Sequence, residues 1–399
     1  MTALRNRASG GMPSGSPVAG PGKPPPPGAG RRTRRRSTGG SFIGTYGLLV
    51  LTVAAFAVFA VLLPDTFPTG SNLRAILTNQ SIPAILALAA AIPIVTARFD
   101  LSIGFGIGLA HVVVMWLLVH TGVPWPLVIL ILLAGGLLVG LANGFLVELA
   151  RIDSFIATLG TGSILYALTG WITGGGRIVP GPGGLPPAFT DLTNSSLLGL
   201  PVTAWYVLAL VLVLWLVLEH LPLGRHLYVV GANPRAADLV GIRRRRVVIS
   251  AFVGSSVVTA FAGTLLAAQQ QIGDPSAGNS YLLPAFVGAL LGSTTIRPGR
   301  ANALGTLIAV AVLAIGLSGL QQLGAAFWIT PLFNGLTLLA AVGLAGLAAR
   351  RRQRAAAVVG AGRQPPAGPP RPSTSDDALS AGTIPTAVDA TRPPPSEEN

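Results

Sequence analysis

Residues 125–148 read WPLVILILLAGGLLVGLANGFLVE, an apolar stretch that ends at its only charged side chain, Glu148. At about 1.5 Å per residue, a helix of this length crosses the roughly 30 Å hydrocarbon core of a bilayer. Gly136, Gly140 and Gly144 recur every four residues, so they share one helix face that a second backbone can approach closely. The stretch predicts a membrane-spanning helix that packs tightly against a neighbour.

Nine further apolar runs lie on either side of this stretch. They are 43–63, 76–97, 101–119, 154–173, 203–220, 247–268, 282–294, 302–320 and 328–348. The run 282–294 is too short to cross the core, and Pro284 inside it suits a broken or re-entrant helix. The sequence therefore predicts an all-α, polytopic membrane bundle of about ten transmembrane segments.

The overall composition supports this class and excludes others. Hydrophobic residues make up 51% of the chain and charged residues 10%, whereas soluble domains carry roughly 25% charged residues. With no cysteine, the chain cannot form disulfides, thiolate metal sites or a cysteine nucleophile. Its net charge of +14 comes from arginines at the edges of apolar runs and in the tails. That placement is typical of membrane topology signals and predicts no nucleic-acid partner.

The two ends of the chain differ from its middle. Residues 1–41 and 350–399 are rich in Gly, Pro and Ser and have no periodic apolar face, so we expect both tails to be disordered. The arginine cluster at 31–36 is suited to contact anionic membrane lipid. Residues 42–349 are the predicted transmembrane domain.

The distribution of arginines predicts the orientation. With ten spans, one set of alternate loops contains Arg98, Arg151 and the arginines of 225–246 and 297–300, whereas the other set contains only Arg74 and Arg177. Because arginine-rich loops stay in the cytoplasm, both termini should be cytoplasmic in a bacterial cytoplasmic membrane.

Residues that could carry chemistry are few. The only lysine, Lys23, precedes a proline in the first tail, so there is no phosphate-binding loop of the Walker type. No span has a carboxylate at its middle, as ion coupling would usually require. The chain is predicted not to be an enzyme and to need no metal or cofactor, so its energy should come from another chain.

Four ionisable residues near spans have structural interpretations. His111 is expected to be buried and bonded to a neighbouring carbonyl, with a functional role as the alternative. Glu148 and Arg151 have the spacing of a pair on a helix surface. Asp100 precedes an apolar helix and is expected to cap its start.

Polar side chains in the spans must face protein or a wet path rather than lipid. Those we assign to a candidate translocation path are Asn79, Gln80, Asn143, Thr158 and Asn334.

The loop 221–246, LPLGRHLYVVGANPRAADLVGIRRRR, is the most informative soluble segment. Asn233 can cap a short helix that has Pro234 at its first position, and Gly241 is a natural stop. The small side chains of Ala236 and Ala237 indicate close approach to a partner. A docking surface for another protein is one interpretation, and an ordered surface loop is the other. The proposed docking residues are Asn233, Pro234, Arg235, Ala236, Ala237, Asp238, Leu239, Gly241 and Ile242.

Four motifs in order give the chain a family resemblance. They are Asp100-Leu101-Ser102-Ile103-Gly104, the segment 143–161 reading NGFLVELARIDSFIATLGT, the Gly-Ala-Asn of 231–233 with Gly241-Ile242, and the Gly-rich run from Leu291 to Leu320. Over roughly residues 70–348 the chain resembles the permease family of ribose, xylose and galactoside importers driven by ATP-binding cassettes. Arg98 stands where that family usually has a small residue.

The resemblance implies a function and partners. Two permease chains would pair, here as a homodimer, and cytoplasmic ATPase subunits would grip residues 233–242. An extracytoplasmic sugar-binding protein would deliver a neutral monosaccharide to the outer loop 174–201, and ATP-driven alternating access would carry it across. A branched-chain amino acid importer permease is the nearest alternative, and an ion-coupled transporter is a weaker one.

The predicted orientation can be tested with single cysteines, since the chain has none of its own. Cysteines placed at Thr190 and Pro275 should react with an impermeant thiol reagent added outside intact cells, and those at Asp238 and Gly299 should not. Outside labelling at residue 238 would contradict the ten-span model.

Overall fold

The computed structural model describes residues 38–343, with side chains from Thr45 onward. The helices are α1 (Thr38–Leu62), α2 (Gly70–Val95), α3 (Ser102–His120), α4 (Trp125–Glu148), α5 (Ser154–Thr173), α6 (Pro187–Asn194), α7 (Val202–Glu219), α8 (Pro222–Ala232), α9 (Pro234–Leu239), α10 (Arg244–Gln270), α11 (Asn279–Gly292), α12 (Ala303–Gln322) and α13 (Ile329–Gly343). A two-stranded antiparallel hairpin joins β1 (Ser196–Leu197) to β2 (Leu200–Pro201).

The predicted fold class is confirmed. Within the described residues, eight helices are long and apolar enough to cross a membrane, and α11 and α13 are two shorter apolar helices. These ten correspond one to one with the ten predicted runs, and α11 is the short run that contains Pro284. Helix α1 begins at Thr38, so residues 38–41 at the end of the first predicted tail are helical rather than disordered. The other predictions for the two tails, and for the last residues of the tenth run, lie outside the described residues.

Helices α2 and α10 form the centre of the bundle. More than half of the most apolar window of each is buried, whereas only 6% of that window of α1 is buried, as expected for a helix at the edge of the bundle that also faces lipid. The glycine row of α4 packs on α10, because a β-carbon at Gly140 would stand 2.5 Å from the α-carbon of Val253. This close approach confirms the predicted packing face of residues 125–148.

The bundle has two ends that carry different connections. The α6 face holds α6, the hairpin, the start of α2 and the end of α12. The α9 face holds α8, α9, the end of α2 and the start of α10. The helices between these two faces include the eight that are long and apolar enough to cross a membrane, so we expect the faces to lie on its two sides.

Two helices begin with the same Asp-x-Ser-x-Gly pattern. The Oδ1 oxygen of Asp100 accepts hydrogen bonds from the backbone amide and the hydroxyl of Ser102, at 3.1 and 2.6 Å. Asp274 binds Ser276 in the same way ahead of α11, at 2.8 and 2.6 Å. These bonds, above all from the Ser276 side chain, lower the pKa of Asp274. Asp100 therefore acts at a helix start, as the sequence predicts.

Two sequence interpretations are corrected. The side chain of Glu148 is 1% exposed and pairs with Arg98 and Arg244, rather than forming a helix-surface pair with Arg151. His111 is buried, but its Nε2 accepts a hydrogen bond from the backbone amide of Asp274 at 3.0 Å instead of bonding a carbonyl. In both cases the partner comes from a distant part of the chain, which the local pattern does not reveal.

Candidate functional site

On the α9 face, the local chemistry of the sequence produces the predicted short helix. The side-chain oxygen of Asn233 accepts a hydrogen bond from the amide of Ala236 at 3.1 Å, and Pro234 occupies the first position of α9. Gly241 follows the helix with a φ of +78°, a conformation that ends a helix without the steric cost of a side chain.

The two alanines of α9 differ in burial, since Ala236 is partly buried and Ala237 is buried. Ala237 is fully buried against its own chain, so its small side chain is explained by packing within the bundle. Two large apolar residues at the end of the helix do face outward: Leu239 is 89% exposed and Val240 is 71% exposed. Adjacent exposed apolar side chains outside the spans are typical of a surface that another protein covers.

Helices α8 and α9 are fixed to the bundle at several points. A β-carbon at Gly231 would collide with the carbonyl oxygen of Val95, so only glycine lets α8 sit against the end of α2. The hydroxyl of Tyr228 donates to the carbonyl of Ala301 at 2.8 Å. Burial raises the pKa of Tyr228 to about 12, which keeps this donor protonated at any physiological pH. Helix α8 is therefore held against both the end of α2 and the loop before α12.

The remaining predicted docking residues lie within α9 or just after it. Arg235 and Asp238 are exposed, Ile242 is partly buried, and the arginines 243–246 line an open pocket beside them. The α9 face thus presents apolar side chains within a basic surround.

On the α6 face, a pocket of about 510 Å³ lies between the start of α2 and the end of α12. This volume is within the range of about 300–1,000 Å³ common for small-molecule sites. No charged residue lines it. Its polar lining consists of Asn72, Asn79, Gln80, Ser318, Gln321 and Gln322, and we call it the amide pocket.

The amides of this pocket fall into two groups. Gln322 donates to the side-chain oxygen of Asn72 at 2.8 Å, and this pair joins the two helices. Within the described part of the chain, no hydrogen bond is found for the side chains of Asn79, Gln80 and Gln321. Each of these three has a carbonyl oxygen and an amino group to offer to a polar ligand.

The structure divides the five residues of the predicted path. Asn79 and Gln80 lie together in the amide pocket. Asn143 and Thr158 are fully buried elsewhere, where Asn143 donates to Ser102 at 2.8 Å and Thr158 accepts from the amide of Leu101 at 3.0 Å. Asn334 is buried on α13 and is not among the residues that line the pocket.

Sequence reasoning left Asn72, Ser318, Gln321 and Gln322 out of the path. A signal was present in their spacing, because Asn72 and Asn79 are seven residues apart, and Ser318 and Gln322 are four apart. Both spacings repeat on one helix face. As for metals, residues 45–343 contain no group of three His, Asp or Glu side chains that could bind an ion.

Comparison with known proteins agrees with this architecture. Residues 72–342 match the family model described as the permease component of a branched-chain amino acid transport system. The chain is 29% identical to the ribose import permease of Haemophilus influenzae over 303 residues, which covers 76% of this chain and 93% of the relative. It is 32% identical to the autoinducer 2 import system permease of Escherichia coli K12 over 301 residues, covering 74% and 88% respectively. No solved structure matches the chain.

The family model covers the chain from the start of α2 into α13, and each of these relatives matches about three quarters of the chain. Together with the polytopic helical fold, they show that the chain belongs to the permease family of monosaccharide importers driven by ATP-binding cassettes.

Proposed function

We propose that this permease subunit carries a neutral monosaccharide inward, by alternating access driven by partner ATPase subunits. The observation that supports the cargo class is the amide pocket, with three amide side chains that have no hydrogen bond among the described residues. A neutral polyol can exchange hydrogen bonds with these amides at no charge penalty, whereas a carboxylate or phosphate would lack a cation to pair with.

The exposure of the pocket supports a second permease chain. Asn79 and Gln321 are exposed on helices that cross the membrane, where polar groups cannot face lipid. A second copy packed against α2 and α12 would cover this surface and enclose a wet path. The homodimer implied by the resemblance satisfies this requirement.

The α9 face supports the ATPase partner, and we infer that this face is cytoplasmic. Its arginines agree with the usual cytoplasmic bias, and Leu239 and Val240 provide an apolar contact. The opposite α6 face is then extracytoplasmic, and its connections over 174–201 are the candidate surface for the sugar-binding protein.

Helix α2 offers a route between the two sites. Its 26 residues span about 39 Å, with the amides of the pocket near its start and Val95 against α8 at its end. When ATP closes the ATPase dimer, a shift of α8 and α9 would tilt α2 and change access to the pocket. Movement of packed helices of this kind is a common switching device.

The docking proposal predicts the effect of one charge. Leu239→Asp should weaken binding of the ATPase at least about tenfold, because an apolar contact becomes a buried, unpaired charge. The fold should persist, since Leu239 is 89% exposed. Pull-down of the detergent-solubilised complex measures the binding.

Leu198→Asp is the matched control, because Leu198 is 83% exposed in the hairpin on the opposite face. It should bind the ATPase as the wild type does. Equal binding by both variants would show that α9 is not the docking surface.

The cargo proposal predicts which solutes stimulate ATP hydrolysis. The permease is reconstituted in liposomes with its ATPase and binding protein, and hydrolysis is measured with D-ribose, D-xylose, D-galactose, leucine and ribose 5-phosphate. At least one neutral sugar should stimulate hydrolysis, because the polar groups that line the pocket are all uncharged. Stimulation by leucine alone would move the assignment to amino acid import, and stimulation by the phosphate alone would contradict a neutral cargo.

A further inference from the structure

Four charged side chains of alternating sign connect α9 to the turn between α2 and α3. Asp238 at the end of α9 lies 3.9 Å from Arg244, the first residue of α10. Arg244 lies 3.6 Å from Glu148 at the end of α4, and Glu148 lies 3.3 Å from Arg98. We call these four residues the charge chain. It joins segments that are far apart in sequence.

Glu148 is the centre of the charge chain. Its side chain is 1% exposed, whereas those of Arg98 and Arg244 are about a third exposed. Arg98 donates a hydrogen bond to Oε1, but Oε2 is buried and has no hydrogen bond among the described residues. A buried carboxylate depends on its cations, since attraction is stronger away from water. The contact of Glu148 with Arg244 is longer than its contact with Arg98, so the carboxylate can shift toward either arginine.

The far end of the charge chain lies at a structural junction. Arg98 is two residues before Asp100, whose carboxylate binds Ser102 at the start of α3 and Ser255 on α10. A displacement of Arg98 therefore moves the start of α3.

We propose that Glu148 is a positioning residue that transmits displacement of α9 to the turn between α2 and α3, by holding Arg244 and Arg98 to one buried carboxylate. The proposal rests on the proposed function, since it takes the ATPase to act on α9. Without the carboxylate, the two arginines repel each other, and α9 and α10 can move while the turn stays behind.

Glu148→Gln tests this role, because glutamine keeps the size and removes the charge. The measured quantity is sugar taken up per ATP hydrolysed by the reconstituted permease, ATPase and binding protein, using the sugar of the panel that stimulates hydrolysis most. We expect this ratio to fall about tenfold, within the range of coupling changes seen along such networks, while the assembled complex still hydrolyses ATP. Loss of structural stability alone would instead lower the amount of complex and leave the ratio unchanged.

Arg98→Gln provides a second variant that is safe for folding, because Glu148 keeps Arg244 as a partner. It should lower the ratio as well, and the double variant Arg98→Gln/Glu148→Gln should be no worse than the more affected single variant, since the residues act as a unit.

Glu219→Gln is the matched control. It breaks the pair between Glu219 and Arg297, which also lies at the α9 face but does not touch the charge chain. Its ratio should stay within about twofold of the wild type.

The outcomes separate the two proposals. If the wild-type complex shows no ATP-driven uptake of any sugar in the panel, the proposed function fails. If the wild type transports and both Glu148→Gln and Arg98→Gln keep the wild-type ratio, only the role of Glu148 is overturned.

Discussion

A carboxylate removed from water must be satisfied by hydrogen bonds or a cation, and at Asp100 this requirement brings four helices together. Asp100 is 1% exposed, and its oxygens accept from Ser102 at the start of α3 and from Ser255 on α10. Ser102 in turn accepts from Asn143 on α4, while Thr158 on α5 accepts from the backbone beside Asp100. Loss of any one bond would leave a buried polar group unpaired, so the crossing of α3, α4, α5 and α10 is fixed at this point.

Around that fixed crossing, the two candidate sites lie at opposite ends of α2. The amide pocket is uncharged and open, whereas the α9 face is basic with an exposed apolar centre. This separation suits the proposed function, in which the sugar binds at one face and the ATPase binds at the other. Gly231 on α8 contacts Val95 at the end of α2, and Asn79 lies in the pocket near its start.

The sequence predicted those features that depend on local chemistry. Each span has its own hydropathy, and Asn233, Pro234 and Gly241 determine the ends of α9 through neighbouring backbone groups. Residue type alone could not decide between faces: Asn79 and Asn143 are both asparagines within spans, yet one lines a pocket and the other is sealed in the core. Contacts such as Glu148 with Arg98, 50 residues apart, depend on how helices cross, and no local pattern contains that information.

The central claim is that α2 links ATP-driven movement at α9 to access at the amide pocket. Asn79→Cys, in a chain with no other cysteine, tests it in liposomes that contain the permease with its ATPase. The rate of reaction with an impermeant maleimide on the α6 face is measured with and without a non-hydrolysable ATP analogue. The account predicts that the nucleotide changes this rate, whereas equal rates in the two states would contradict a link between the sites.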